Sequence, residues 1–223
     1  MERLNSYEEA ARAQRERSNM PEERRQATAA MIAALERDVA PNVLREGDLA
    51  PDFTLAEAST GEHVHLDEVA QRGPIVLSFY RGQWCPYCNL EARALESISD
   101  EIRGLGGDIY LIGPESNENA MKRREKTGAS IMLLPDTDAS VATQYGIVFE
   151  LPTYFQQQYL ESGRDLPAQN AGAGWRLPIP ATFVIGRDRR IVARHVDADY
   201  THRMEPAAIL EAALRAASMP SRG

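Results

Sequence analysis

Short apolar runs and segments with four-residue apolar spacing alternate along most of the chain. The short runs are rich in branched and aromatic residues, which predicts buried strands at Pro74–Tyr80, at 108–113, at 131–134 and as a pair joined by a tight charged turn within 178–196. Helical patterns lie between and after them, at 85–104, 118–126, 138–146 and 206–217. This alternation predicts an α/β architecture with parallel strand pairs, closed by an antiparallel hairpin.

The first part of the chain has a different pattern, rich in Ala, Glu and Arg, which predicts two helices. Met31, Leu35 and Val39 are spaced four apart on the second helix and form only a narrow apolar stripe. A hairpin of this kind is typical of an arm that packs on its own domain or on a second subunit and carries no chemistry. We therefore divide the chain into a helical arm, 1–40, and an α/β domain, 41–223.

Composition and charge narrow the classes of function. The 223 residues are 43% hydrophobic and 26% charged, which is enough apolar material for a normal core. A net charge of −8 argues against nucleic acid and against an anionic membrane surface as partners. No stretch is apolar enough to span a bilayer, and the N-terminal residues lack the apolar centre of a secretory signal. We expect a cytoplasmic protein, in which a close cysteine pair is catalytic or metal-binding rather than a permanent disulfide.

Both cysteines of the chain lie in "WCPYC", where the strand 74–80 gives way to a helix. Pro86 suits the first helical position, which places Cys85 at the N-cap and Cys88 one turn into the helix. The helix dipole and unpaired N–H groups there stabilise a thiolate, and such motifs lower a thiol pKa to roughly 7 or below. Two thiols at this spacing form a reversible two-electron switch.

Other roles for the cysteines have less support. A structural zinc site needs about four ligands, whereas the chain has no second cysteine pair, and His63 and His65 alternate on a predicted solvent-facing β edge. Haem attachment requires a histidine where Asn89 stands. An inert pair packed in a helix turn stays open, and the neighbouring aromatic residues are compatible with it.

Four segments, in order, resemble the peroxiredoxins, and most closely the peroxiredoxin-like branch of the alkyl hydroperoxide reductase/thiol-specific antioxidant family. They are the opening strand, the active-site strand and helix, a mid-domain segment and the closing hairpin: Gly47–Leu55, 75–96, 133–147 and 180–192. The resemblance covers roughly residues 45–217. It implies a thioredoxin-like fold, a central mixed β-sheet flanked by helices, here with an N-terminal helical extension.

The chain departs from this family at the site itself. Aligned on the strand, Cys88 occupies the position that attacks peroxide in the family, Cys85 replaces a threonine, and Arg81 replaces a proline. Pro180 stands where the family carries an arginine, and it resembles the cis-proline that thioredoxins place against their cysteine pair. The thioredoxin likeness favours Cys85 as the attacking residue and the peroxiredoxin alignment favours Cys88, so the sequence leaves both open.

Peroxide attack requires a positive group that holds the thiolate and polarises the O–O bond. Arg81 is our first candidate for this role. Arg176 is a second candidate, although an arginine that caps a strand end at the surface explains it equally well. Four aromatic residues are candidates near the substrate, two at the mouth of the site and two as a lid or as simple packing: Trp84, Tyr87, Tyr154 and Trp175.

The segment His195–Arg203 is rich in polar residues. It permits a proton relay or a cation site, but its composition is more typical of a polar connection between the last strand and the last helix. We favour that second interpretation.

The resemblance implies a thiol-dependent peroxidase that reduces hydrogen peroxide or organic hydroperoxides. A sulfenate on one cysteine would resolve as a Cys85–Cys88 disulfide, and thioredoxin, glutaredoxin or glutathione would regenerate the dithiol, with no metal, haem, flavin or other cofactor. The arm indicates a homodimer. Two alternatives stay open: a thioredoxin-type thiol-disulfide oxidoreductase that acts on protein disulfides, and a non-catalytic redox sensor or interaction module.

Overall fold

Helices and strands follow one another much as the apolar pattern predicts. The computed structural model describes residues 6–127 and 131–219. The helices are α1 (Tyr7–Glu16), α2 (Glu22–Asp38), α3 (Leu66–Ala70), α4 (Pro86–Glu96), α5 (Ser99–Gly104), α6 (Asn117–Thr127), α7 (Ser140–Gln144), α8 (Thr153–Glu161), α9 (Leu166–Gln169) and α10 (Pro206–Ser218). The strands are β1 (Thr54–Ala56), β2 (His63–His65), β3 (Ile75–Phe79), β4 (Asp108–Gly113), β5 (Met132–Pro135), β6 (Val148–Glu150), β7 (Arg176–Pro178), β8 (Ala181–Ile185) and β9 (Ile191–Val196). Within the described residues no helix is long and apolar enough to cross a membrane.

A five-stranded mixed sheet forms the centre of the molecule, in the order β5-β4-β3-β8-β9. The strands β3, β4 and β5 run parallel, whereas β8 runs antiparallel to β3 and pairs with β9 as the closing hairpin. The predicted α/β class with a central mixed sheet is confirmed. The central strand β3 is buried on both faces, which is why its sequence is a continuous apolar run rather than an alternating one.

The side chains of β3 alternate between two hydrophobic layers, since successive strand residues point to opposite faces. Ile75, Leu77 and Phe79 belong to the layer that α2, α3, α7 and α8 cover. Val76 and Tyr80 belong to the opposite layer, which is covered by α1, α4, α5 and α10. The cysteine helix α4 therefore lies on one face of the sheet, directly after the carboxyl end of its central strand.

The two helices of the N-terminal arm pack on different layers. Tyr7 and Ala11 of α1 are buried beside α4, whereas Met31 and Leu35 of α2 are buried in the other layer. The Tyr7 hydroxyl donates a 2.7 Å hydrogen bond to the carbonyl of Thr201. Both predicted arm helices are present, and their apolar faces are buried against the rest of the chain.

Two segments differ from the sequence prediction. The predicted helix 85–104 is divided into α4 and α5, because the backbone leaves the helical conformation at Ile98, which has φ −117° and ψ 4°. The segment 149–175, expected to be irregular with one helix, contains α8, α9 and parts of the small β6–β7 sheet.

Replacing Tyr7 with alanine tests how firmly the arm is attached. Because the ring is 1% exposed and its hydroxyl is bonded, we expect Tyr7→Ala to lower the free energy of unfolding by about 3–5 kcal/mol in urea titrations. Arg12→Ala on the exposed side of α1 is the control, with an expected change below about 0.5 kcal/mol. An equally small effect of Tyr7→Ala would show that α1 is not docked in solution.

Candidate active site

The cysteines lie where β3 leads into α4, as predicted. Cys85 is the N-cap residue of α4, Pro86 takes the first helical position, and Cys88 lies one turn further. Gly82 in the preceding turn has φ +154°, and a Cβ there would lie 2.2 Å from Nε1 of Trp84. A glycine is therefore needed for the backbone to pass under this tryptophan.

Three hydrogen bonds fix the loop that carries Cys85. The backbone N–H of Cys85 donates 3.1 Å to the Gly82 carbonyl, and the Asn89 amide donates 2.9 Å to the Gln83 carbonyl. The N–H of Gln83 in turn donates 2.5 Å to the buried carboxylate of Glu115. These bonds hold the N-cap sulfur in one place before any substrate arrives.

The two thiols are both reduced, and their surroundings differ. Cys85 lines a pocket, whereas Cys88 is fully buried and does not line that pocket. The Cys85 thiol is hydrogen-bonded to Cys88, and this bond together with burial raises the pKa of Cys85 well above its usual value, against the opposing charges of Arg81 and Arg203. The sequence predicted a lowered thiol pKa at this helix terminus, and for Cys85 that prediction is wrong, because the bond to Cys88 and burial both disfavour its thiolate.

A buried ion pair lies beneath Cys88. The Arg203 Nε donates 2.5 Å to Oε2 of Glu91, and both side chains are almost wholly excluded from solvent. Nη2 of Arg203 lies 3.5 Å from the sulfur of Cys88. Burial acts against the charge of Arg203, but the Glu91 carboxylate beside it raises the pKa of Arg203, so the guanidinium stays cationic next to the sulfur.

The sheet itself completes the surroundings of Glu91. Ser78 on β3 and Thr182 on β8 are paired residues of neighbouring strands, and both hydroxyls donate to Oε1, at 3.1 and 3.4 Å. Burial raises the pKa of the Glu91 carboxyl, while Arg203 and the Ser78 hydroxyl favour the ionised form. One carboxylate thus connects α4, two central strands and the connection that precedes α10.

Arg81, the first sequence candidate, does reach the site. Its guanidinium lies 5.0 Å from the Trp84 ring and 4.5 Å from the Tyr200 ring, and Nη2 is 3.5 Å from the Tyr159 hydroxyl. The side chain is buried, and its Nε has no hydrogen-bond partner among the described residues. Burial opposes the charge of Arg81, yet the nearby Tyr159 hydroxyl and Cys85 sulfur raise its pKa. It is therefore a cation with a free donor beside Cys85.

A pocket of about 270 Å³ opens over Cys85 and Arg81. Its walls come from three parts of the chain that are far apart in sequence. The arm supplies Gln14, Ser18, Asn19, Met20, Pro21 and Arg24; the cysteine segment supplies Trp84, Pro86 and Tyr87; the later segments supply Tyr159, Arg164 and Tyr200. The arm, expected to carry no chemistry, thus forms one wall of the pocket.

The remaining sequence candidates divide into two groups. Trp84 and Tyr87 line the pocket, as expected of its mouth. Pro180 lies in a small apolar gap beside Arg81, but the described residues contain no cis peptide bond, so the likeness to the thioredoxin cis-proline does not extend to its geometry. Arg176 is not brought to the pocket, and its Nε donates 3.2 Å to the Ala173 carbonyl. The lid candidates Tyr154 and Trp175 pack on the main core instead.

Sequence reasoning missed Glu91 and Arg203. The position of Glu91 could have indicated its role. It lies three residues after Cys88 on a helix, so its carboxylate is on the buried face, and a buried carboxylate requires a cationic partner. Arg203 closes the segment that we interpreted as a polar connection. In that segment His202 and Asp197 form an exposed pair at 2.8 Å, and no group of three or more His, Cys, Asp or Glu in the described chain is arranged to hold a metal ion.

Replacing Arg203 tests whether its charge governs the dithiol. We expect Arg203→Met to raise the pH of the first thiol ionisation of the pair by about one unit or more, because an anion loses an adjacent cation. Ultraviolet absorbance of the thiolate during a pH titration measures this, and Arg203→Lys should keep most of the effect. An unchanged titration in a folded Arg203→Met variant would show that Arg203 has only a structural role.

Comparison with known proteins identifies the family of this chain. The AhpC/TSA family model matches residues 47–194. Peroxiredoxin Bcp of Escherichia coli (strain K12) is 32% identical over 106 residues, which is 48% of this chain and 67% of that protein. The thiol-disulfide oxidoreductase ResA of Halalkalibacterium halodurans is 28% identical over 107 residues, 48% of this chain and 59% of its own length.

A solved structure shows the same fold. The crystal structure of peroxidoxin BcpB from Mycobacterium tuberculosis superposes with a TM-score of 0.58 and 23% identity, over 78% of this chain and 96% of that one. The expected resemblance and the expected thioredoxin-like fold are thus confirmed. The chain belongs to the AhpC/TSA family, as a peroxiredoxin-like thiol-dependent peroxidase with a thioredoxin fold.

Proposed function

We propose that Cys85 is the residue that attacks the peroxide and that Cys88 resolves the product as a disulfide. The assignment rests on which sulfur a substrate in the pocket can reach. Cys85 lines the pocket, whereas Cys88 does not line it and is fully buried. The family alignment would give the attack to Cys88, but a reacting oxygen must touch the attacking sulfur. Hydrogen peroxide and organic hydroperoxides are the substrates, and the product is water or an alcohol.

The hydrogen bond between the thiols supplies the first proton transfer. Cys88 beside Arg203 carries the negative charge of the singly ionised pair, and it accepts the proton of Cys85 as the attack begins. The Cys85 sulfur then bonds to one peroxide oxygen, the O–O bond breaks, and the departing oxygen takes the proton that Cys88 received and leaves as alcohol or water. Cys85 is now a sulfenic acid.

The second step returns the charge to Cys88. The Cys88 thiolate that this transfer leaves attacks the Cys85 sulfur, the S–O bond breaks, and the departing hydroxide takes a proton from solvent and becomes water. The two sulfurs together supply the two electrons that reduce the peroxide. Arg203 stabilises the resolving thiolate, so the sulfenic acid is trapped before further oxidation.

Arg81 would act on the substrate side. A buried cation with an unpartnered Nε can donate to the peroxide oxygens and favour the charge that develops as the O–O bond breaks. Its neighbours are aromatic rings and a tyrosine hydroxyl rather than a carboxylate, so the charge is not already neutralised. Trp84 and Tyr87 would shape the opening through which the peroxide enters.

Family membership implies a thioredoxin-type reductant, and we propose thioredoxin, glutaredoxin or glutathione as the donor that restores the dithiol. A cycle that ends in a disulfide needs a reducing compartment, which favours the cytoplasm. We keep the homodimer and the division into an arm, 1–40, and a domain, 41–223, as proposals. The Ala-, Glu- and Arg-rich composition of the arm, which differs from that of the segments after it, supports the division.

Disulfide exchange with proteins is the second candidate function, and the likeness to ResA favours it. Against it stands the position of Cys85, which is 1% exposed at the base of a pocket where a protein disulfide has poor access. Reduction of insulin by the protein, compared with thioredoxin, separates the two functions, and we expect it to be slow.

Single cysteine variants test the assignment of roles. In stopped-flow oxidation of the reduced protein, followed by Trp fluorescence, we expect Cys88→Ser to keep a first oxidation step, slowed by loss of the proton acceptor, and to accumulate sulfenic acid. Cys85→Ser should lose the fast step, because its serine has no thiolate to attack with. Fast oxidation in Cys85→Ser would assign the attack to Cys88 instead. A wild-type rate no faster than that of a free thiol would overturn the peroxidase function and leave disulfide exchange or redox sensing.

Substitution of Arg81, with Arg176 as the control, tests whether the Arg81 charge assists the reduction of peroxide. We expect Arg81→Met to lower the rate of peroxide reduction about 10²-fold, since a buried donor to the developing charge is lost. Arg176→Met is the control and should stay within about twofold of wild type, because Arg176 does not line the pocket. Equal rates in both variants would remove Arg81 from the reaction.

A further inference from the structure

The pocket over Cys85 has a charge opposite to that of the whole protein. The chain carries 33 acidic and 25 Lys or Arg residues, yet the described residues that line this pocket include Arg24, Arg81 and Arg164 and no Asp or Glu. Clefts lined by one sign of charge concentrate ligands of the opposite sign. The pocket is therefore suited to an anion in an otherwise acidic molecule.

Two of these arginines lie away from the proposed chemistry. Arg24 on α2 is half-buried, and no carboxylate of the described chain pairs with it. Arg164, after α8, is exposed and donates 3.1 Å to the hydroxyl of Ser162, a neutral partner. Both guanidinium groups therefore keep donors for a ligand, whereas the free Nε of Arg81 is assigned to the hydroperoxide group beside Cys85.

The other walls are aromatic and apolar. Tyr159 and Tyr200 face the pocket from the later segments, Trp84 and Tyr87 from the cysteine segment, and Met20 from the arm. A volume of about 270 Å³ is far more than a hydrogen peroxide molecule needs and approaches the lower range of sites for small organic ligands. The aromatic walls match a substrate with an organic body.

We propose that this pocket selects organic hydroperoxides that carry a carboxylate. Arg24 and Arg164 hold the carboxylate, the aromatic walls hold the organic body, and the hydroperoxide group reaches Cys85 and Arg81. Arginine donates paired hydrogen bonds to a carboxylate, which gives orientation as well as affinity. The inference rests on the proposed peroxidase function and adds its substrate class.

Three hydroperoxides that share one carbon skeleton provide the test. They are cumene hydroperoxide, its para-carboxylate and the methyl ester of that carboxylate, each supplied to the wild-type enzyme with an excess of reductant. We expect kcat/KM for the carboxylate to exceed that for the ester about tenfold or more at low salt, and the advantage to shrink as salt is added. Equal values for carboxylate and ester would overturn the inference.

Variants of Arg24 and Arg164 test whether these residues cause the preference for the carboxylate. We expect Arg24→Gln and Arg164→Gln each to reduce the carboxylate-to-ester ratio of kcat/KM several-fold, and the double variant to bring it close to one. Arg25→Gln is the matched control, because Arg25 is the next residue of α2, pairs with Glu22 and does not line the pocket. A carboxylate-to-ester ratio that stays unchanged in the double variant would overturn the inference. So would variants that leave kcat/KM for each hydroperoxide unchanged and slow only the reduction of the enzyme's disulfide by glutathione.

A binding measurement separates this inference from the proposed function. Unreactive 4-isopropylbenzoate and its methyl ester are titrated into a Trp175→Phe protein, so that the fluorescence change reports Trp84 in the pocket wall. We expect the carboxylate to bind and Arg24→Gln to weaken it about tenfold. If no hydroperoxide reacts faster with the protein than with a free thiol, the peroxidase function fails, while this titration still decides whether the pocket binds carboxylates. If the carboxylate does not bind, only the inference about the substrate class fails, and the proposed peroxidase function is unaffected.

Discussion

The buried ion pair between Glu91 and Arg203 is the interaction on which the site depends. Two charges removed from water are stable only when their remaining donors and acceptors are bonded. Here the hydroxyls of Ser78 and Thr182 and the carbonyls of Tyr200 and His202 complete the pair. The same contacts join α4 to the centre of the sheet and to the connection before α10, so the positions of the cysteines and of Arg203 are fixed together.

From this arrangement the two cysteines acquire different properties. The sulfur of Cys88 lies against Arg203 in the interior, and that of Cys85 lies at the pocket near Arg81. Since both thiols share one hydrogen bond and two cations, they titrate as a pair rather than as independent groups. In the proposed cycle, the buried Cys88 sulfur carries the negative charge and the Cys85 sulfur at the pocket contacts the peroxide.

The pocket depends on parts of the chain that lie outside the match to the family. The family model covers residues 47–194, whereas Arg24 precedes this range and both Tyr200 and Arg203 follow it. The arm contacts both hydrophobic layers and at the same time closes one side of the pocket. The shared domain thus supplies the cysteine position, and the flanking segments supply much of the pocket wall.

The sequence by itself determined the order of the main elements, the place of Cys85 and Cys88 at a strand-to-helix junction, and Arg81 as a cation near them. These features are local, because apolar periodicity and the proline after Cys85 act within one or two turns of chain. Only the tertiary structure decided the raised pKa of Cys85, the exclusion of Arg176 and the pairing of Glu91 with Arg203, which are 112 residues apart. Burial and long-range pairing arise when the arm, the sheet and α10 pack together. A local sequence pattern does not identify which distant residue forms an ion pair with a buried charge.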